Sequence, residues 1–472
     1  MKRKALALLL VALVLAYAYS TIAIAQDKPT AEETGLVLVS FEEGVDFMTE
    51  AIKYPIAFKI RWYGTDGLAL SEKLVASERA ADLAVRTNFR ATISLSLENI
   101  ELVRRIYWSV RDAVGYAPDS YAFNSYDAIW VLGLAVVAAG GATDADVDTI
   151  AALIPEIIKI YYGASGKIVL DRYGDRVGTD YGIFGVTKKD GKYDWTLKAL
   201  WDMETDTIKK YEADPLATRP AGRPMPSVDA AKLRQLVRKE PPTTVTVTIG
   251  LLYPLTGGLA SFGKANVEAV KIAIEDLNAW LTQNGFKFRF TYELRDTGTD
   301  PEKAKDAYSA LYAKGIRVFA GPMASSELAK VRDLILGGSR SVVISPSSTS
   351  PALKFEDTIY RFPPPDDYQC LAIARMIADD KVKQVVIVYR NDYWGRMLAD
   401  YTARRAEELG VKVLEMYAYD PKSPGFPALA ETVFKTIEAN VAAPGVSPVL
   451  LAAVVIAIVA VAAAGYIVLR RR

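Results

Sequence analysis

Short apolar runs alternate with amphipathic stretches along most of this chain. LVLVS (Leu36–Ser40) predicts a buried strand, and EEGVDFMTEAIKY after it carries apolar residues at helical spacing. FKIRWYGTDG, from Phe58, predicts a strand ending in a glycine-bounded turn. NIELVRRIYWSVRDAVG and SYDAIWVLGLAVVAAG predict helices, and the second, apolar almost all round, is expected to be buried. From Gly166, GKIVLDRYGDRVGTDYGIFGVTKKDGKYDWTLKALW predicts successive strands joined by turns at YGD and KDG. Beyond Val245 the alternation resumes. VTIGLLYP, FKFRFTYELRD, RVFAGPM, SVVISP, VKQVVIVYR and KVLEMYAY predict strands, with helical patterns between them. Strands separated by crossover helices predict an α/β protein with parallel sheets, whose ligands bind beyond the carboxyl ends of the strands.

Residues 207–244 interrupt this rhythm. YEADPLATRPAGRPMPSVDAAKLRQLVRKEPPTT is rich in proline and charge and poor in β-branched residues, which predicts a linker between two halves, 35–206 and 245–440. KLRQLVRK within it predicts a short surface helix.

Each end of the chain is apolar. MKRKALALLLVALVLAYAYSTIAIAQ has a basic start, an apolar run and a small-residue site before Gln26, so residues 1–25 read as a secretory signal, with an uncleaved anchor as the alternative. Residues 449–469 carry no charge across 21 positions and precede Arg470, Arg471 and Arg472. A helix of that length spans roughly 31 Å, one hydrocarbon core. The arginines predict a cytoplasmic end, and so a membrane anchor with everything before Val449 outside.

Composition narrows the chemistry. Net charge is +1 and evenly spread, so no basic face predicts nucleic-acid binding. With no histidine in the chain, histidine triads and histidine metal sites are excluded, and no G-x-x-x-x-G-K-[ST] sequence offers an ATP site. The single Cys370 has no partner for an internal disulfide. A G-x-S-x-G elbow is also missing, so a hydrolase is remote. Neither enzyme activity, cofactor nor metal is expected.

Three turns after strands hold candidate ligand chemistry. Ser325 and Ser326 open the helix SSELAKVRDLI, whose first-turn N–H groups suit an anion; an N-cap serine reads the same way. In ISPSSTSP, Ser350 can cap a helix beginning at Pro351, while Ser347 and Thr349 can offer hydroxyl, carbonyl and N–H groups; a polar turn is the plainer reading. GTDG (Gly64–Gly67) places Asp66 between glycines that permit close backbone approach, or forms a plain turn.

In combination, IGLLYPLTGGLASFG, GPMASSE, ISPSSTSP, YRFPPPDDYQ and VYRNDYWG resemble successive motifs of the leucine/isoleucine/valine-binding proteins. These are substrate-binding subunits of ABC importers with the type I periplasmic-binding fold. LVSFEEG, WYGTDG, YAFNSYDAIW and YYGASGKIVLDRYGDRVG resemble that family's later motifs, yet here they come first. The resemblance implies a circularly permuted, two-lobed fold. One lobe would combine 245–368 with 98–162, and the other 381–440 with 36–96 and 163–206. It further implies that Ser325 binds a ligand carboxylate, with Ser347 and Thr349 nearby, and that Asp66 pairs with the ligand ammonium. Phe262 and Trp394 match positions where the family carries aromatic residues; Tyr121 and Phe41 are weaker candidates. The implied role is capture of a small neutral amino acid, branched-chain or other, for a permease with cytoplasmic ATPases. A sensor of the same fold and a binder of urea or short amides remain alternatives.

Overall fold

The alternating pattern folds into two sheets, each flanked by helices, in a computed structural model that describes residues 28–442. The segments read as signal and membrane anchor lie outside these described residues. In chain order the first strands are β1 (Thr34–Val39), β2 (Arg61–Gly64), β3 (Arg90–Ser94), β4 (Tyr161–Tyr162), β5 (Tyr181–Lys189), β6 (Lys192–Asp202), β7 (Thr207–Lys210) and β8 (Ser227–Val228). They are followed by β9 (Val245–Tyr253), β10 (Phe288–Asp296), β11 (Val318–Ala320), β12 (Val342–Ser345), β13 (Ile359–Arg361), β14 (Gln384–Arg390) and β15 (Lys412–Tyr419).

One lobe is built on the order β10-β9-β11-β12-β13, every neighbouring pair parallel. The other is built on β15-β14-β1-β2-β3, also parallel, extended by the antiparallel strands β5, β6 and β7. If β14 is counted first, the second lobe repeats the order of the first: 2-1-3-4-5. That arrangement has its switch point between its first and third strands, where crossovers leave in opposite directions and open a crevice. β1, the central strand of the second lobe, pairs in register with β14 through Thr34–Gln384 and Val39–Tyr389. The described ends meet beside it: the Ala442 N–H donates to the Pro29 carbonyl at 2.8 Å.

The apolar helix Tyr121–Ala139 is buried along its whole length, as its sequence predicts. It packs against the helices Ala260–Gln283 and Val147–Ile158 and against β11 and β12. Gly133 permits the closest approach, since a Cβ there would stand 2.4 Å from Leu277.

Three expectations need correction. Residues 166–180 form no regular strands, only isolated bridges of Gly166 to Gly163, Leu170 to Arg176 and Asp175 to Arg361. This segment passes between the lobes, and it is held by side chains rather than by a ladder. The buried Arg176 donates to the carbonyls of Ser165 and Lys167, and Asp175 pairs with Arg361 at 2.5 Å. Farther on, the KDG turn joins β5 to β6 as expected, with Asp190 and Gly191 both at positive φ.

The proline-rich stretch is not a free linker. Its first residues form β7 on the edge of the second sheet, so that half ends at Lys210 rather than Asp206. The chain then lies along the first lobe. Leu216 is buried, Arg219 holds Asp112 with both guanidinium nitrogens, and Arg223 reaches the buried Asp276 at 2.6 Å. β8 pairs with β4, and the expected short helix forms at Ala230–Leu236 with Leu233 buried.

Candidate functional site

A narrow cavity lies between the lobes, with about 320 Å³ of space unoccupied by atoms, its mouth included. The first lobe contributes Leu259 and Phe262 after β9, Met323, Ala324 and Ser325 after β11, and Ser347 after β12. The second contributes Phe41 after β1, Asp66 and Gly67 after β2, and Trp394 after β14. Tyr121, first residue of the buried helix, completes the wall. All the strand-end residues follow the carboxyl ends of their strands, so the switch points of the two lobes face each other across the cavity.

The lobes also touch directly. Tyr121 donates to Asp66 at 2.7 Å, Glu42 N–H to Gly258 carbonyl at 3.1 Å, Ser261 to Glu42 at 2.7 Å, and Ser350 to the Tyr393 carbonyl at 2.7 Å. These bonds put the protein in a closed arrangement.

At the first-lobe end, the helix Ser325–Leu336 points its N-terminus at the cavity. Ala324 is the N-cap rather than Ser325, and Glu327 accepts from the Ala324 N–H at 3.0 Å. Ser325 is thus the first helical residue. Its hydroxyl oxygen accepts from the N–H groups of Thr349 and Ser350 at 3.2 and 3.1 Å, which leaves its hydrogen free to donate elsewhere. That hydrogen and the first-turn N–H groups make an anion site. Ser347 is more committed, donating to the Met323 carbonyl at 2.7 Å. Ser350 caps no helix with its side chain, because its hydroxyl crosses to the other lobe.

The second lobe's side of the cavity is acidic at Asp66. Asp66 is buried, one oxygen bonded to Tyr121 and the other, Oδ1, without a partner among the described residues. Burial is the main reason its carboxyl is pushed up to about 6, while the bond from Tyr121 opposes the shift. Asp366 lies fully buried in the first turn of the helix Asp366–Asp379, its N–H donating to the Thr349 carbonyl at 2.9 Å; among the described residues no donor meets its oxygens at full hydrogen-bond geometry, although the Thr349 hydroxyl beside it favours its charged form. Burial, then the charge of Asp66, hold the Asp366 carboxyl well above the ordinary range. The carbonyl oxygen of Gln369 is likewise unpartnered among the described residues. A buried acceptor without a donor is costly, and a buried carboxylate without a cation more so. This corner therefore suits a cation with several N–H donors.

Of the eight residues that the resemblance singles out, Phe41, Asp66, Tyr121, Phe262, Ser325, Ser347 and Trp394 border the cavity. Thr349 stands behind them, fixing Ser325. Phe41 proves central: its ring stacks on Trp394 at 4.6 Å, with the Arg390 guanidinium over it at 4.5 Å. Asp366 was missed. Two aspartates after a proline run read as the acidic first turn of a helix, and only the approach of Asp66 from distant sequence gives the second role.

Two lobes with a shared, polar-ended cavity define a ligand-binding protein of the periplasmic-binding class. The periplasmic binding protein family pattern matches residues 246–466, and the receptor family ligand binding region matches residues 21–189. By these patterns the chain belongs among the periplasmic binding proteins of type I fold, and its similar relatives include Leu/Ile/Val-binding proteins. It is 32% identical over 198 residues to an uncharacterized protein of Methanocaldococcus jannaschii, covering 40% of this chain and 47% of that one. It is 27% identical over 190 residues to the Leu/Ile/Val-binding protein BraC3 of Rhizobium johnstonii, covering 40% and 51%. A leucine-binding protein of Thermotoga maritima superposes with a TM-score of 0.37 at 21% identity, covering 40% of this chain and 54% of the other. The chain spans about half the length of the curated relatives it matches.

Proposed function

We propose that this chain captures a small neutral amino acid as the extracytoplasmic substrate-binding protein of an ABC importer, and that it binds rather than transforms its ligand. The observation that carries this reading is the polarity of the cavity wall: helix N–H groups and the Ser325 hydroxyl from the first lobe, and the buried Asp66 carboxyl, backed by Asp366, from the second. A zwitterion satisfies both ends. Urea and short amides bring no cation and would leave the acids uncompensated. The names of Leu/Ile/Val-binding relatives support the same ligand class. The membrane anchor at 449–469, an ectodomain outside the cytoplasm, and delivery to a permease with cytoplasmic ATPases belong to this proposal.

Circular permutation belongs to it as well. Its support is the shared 2-1-3-4-5 strand order, which the second lobe has only when β14 and β15 are counted before β1, and the meeting of Pro29 with Ala442.

Calorimetry of the full chain in detergent, titrated with the free amino acids, tests the function. Hydrogen bonds to charged groups contribute about 1.5–3 kcal/mol each, so Ser325→Ala and Asp66→Asn should each weaken binding roughly tenfold or more. Unchanged dissociation constants in both variants would sink the assignment, and so would binding by none of the amino acids.

A further inference from the structure

Trp394, on the second lobe's side of the cavity, carries an indole donor that meets no acceptor among the described residues. Among the described residues, the indole N–H groups of Trp62, Trp195 and Trp201 donate to Ala57, Ser71 and Asp206 at 2.8–2.9 Å. Trp394 is just as buried, 2% exposed, but its Nε1–H has no acceptor. Trp130 shares that lack, though it sits inside the first lobe's core against Tyr126 and Tyr161, away from the cavity.

Trp394 cannot readily turn to find a partner. Phe41 stacks on one face of its ring, with planes 22° apart. Gly67 lies at its edge, so close that a Cβ there would come within 3.0 Å of the ring. Its backbone N–H is fixed on the Asp392 carboxylate at 3.1 Å. The indole is thus clamped beside the cavity. A buried donor left unpaired is costly, so a clamped one suits an acceptor that arrives from outside.

We infer that the ligand's side chain carries a neutral hydrogen-bond acceptor, a hydroxyl or amide oxygen, that receives the Trp394 Nε1–H. This rests on the amino-acid reading above and narrows it from neutral amino acids in general to polar ones such as threonine, serine, asparagine or glutamine. Phe41, stacked on Trp394, and Phe262 and Leu259 supply apolar wall in the same cavity. An acidic side chain fits poorly, because it would add an anion to a cavity that already holds Asp66.

Isosteric pairs isolate the effect, since they keep shape and change only the acceptor. Calorimetry of the full chain in detergent should find threonine bound roughly tenfold or more tighter than valine, and asparagine than leucine. Trp394→Phe should bring each pair to near equality while a thermal melt shows that the chain still folds. If valine and leucine bind as tightly as their polar isosteres in the unaltered chain, the inference is wrong and the amino-acid reading stands. The inference also fails if Trp394→Phe weakens both members of each pair equally, because the indole then serves the α-carboxylate. Binding by no amino acid overturns the amino-acid reading itself, and this inference with it. The isostere comparison needs no variant, so it decides even if Trp394→Phe does not fold.

Discussion

The Tyr121 hydroxyl of one lobe donates to Asp66 of the other at 2.7 Å, making the carboxyl that bounds the cavity also part of the closed interface. Burial lifts the Asp66 carboxyl from an ordinary value of 3.8 to about 6. An acid raised on folding contributes stability that is full below about pH 4 and is lost as pH rises through 6. Ligand-free Asp66→Asn should therefore gain stability relative to the unaltered chain at pH 7.5, compared with the same difference at pH 4. Thermal melts at the two pH values check it; an equal difference at both would count against a raised Asp66.

Ligand binding has the opposite dependence. An ammonium favours ionised Asp66, so affinity should fall as pH drops below 6, by up to about tenfold per unit. Calorimetry between pH 5 and 8 reads the slope directly. Affinity that rises on acidification would mean that the cation does not meet Asp66.

Asp276 is the anchor of the segment that runs along the first lobe. It is 1% exposed and pairs with the buried Arg105 at 2.7 Å and the exposed Arg223 at 2.6 Å, with Tyr126 donating to it at 2.7 Å. Asp276→Ala strands the Arg105 charge and should cost about 3–5 kcal/mol. Arg223→Ala removes only a solvent-screened partner and should cost less than about 1 kcal/mol. Urea unfolding followed by tryptophan fluorescence distinguishes them. Comparable losses would show that the segment, not the buried pair, is what matters.

Because Pro29 and Ala442 are hydrogen-bonded, residues 245–442 followed by 28–244 need only a short join and keep the docked segment. This rearranged chain should fold and bind the same ligand with similar affinity. If it stays unfolded while the natural order folds, permutation is the wrong account of the architecture.

Much of the site was legible because its residues follow strands: Ser325, Ser347, Asp66 and Trp394 all sit where apolar β-runs give way to small polar turns. Asp366 was not, since its meaning depends on Asp66, hundreds of residues earlier in the chain. Composition likewise misjudged 207–244. Proline and charge indicate a chain that cannot build a core of its own, but say nothing of the Asp276 and Asp112 carboxylates waiting on another surface. Residues 166–180 misled in the opposite sense. Isoleucine, valine and leucine there suggested strands, while the buried Arg176 holds the backbone in an irregular path.

The pairing of β1 with β14 has a consequence for how the molecule is made. Thr34 emerges from the ribosome 350 residues before its neighbour Gln384, and at about 5–20 residues per second that interval lasts roughly 20–70 s. For all that time one edge of the apolar strand LVLV has no partner, a template for pairing with other chains. The second lobe can close only after β14 and β15 arrive, among the last strands synthesised. A nascent chain of this order depends on something else to shield that edge, and its yield in the cell is set by timing as much as by the stability of the finished fold.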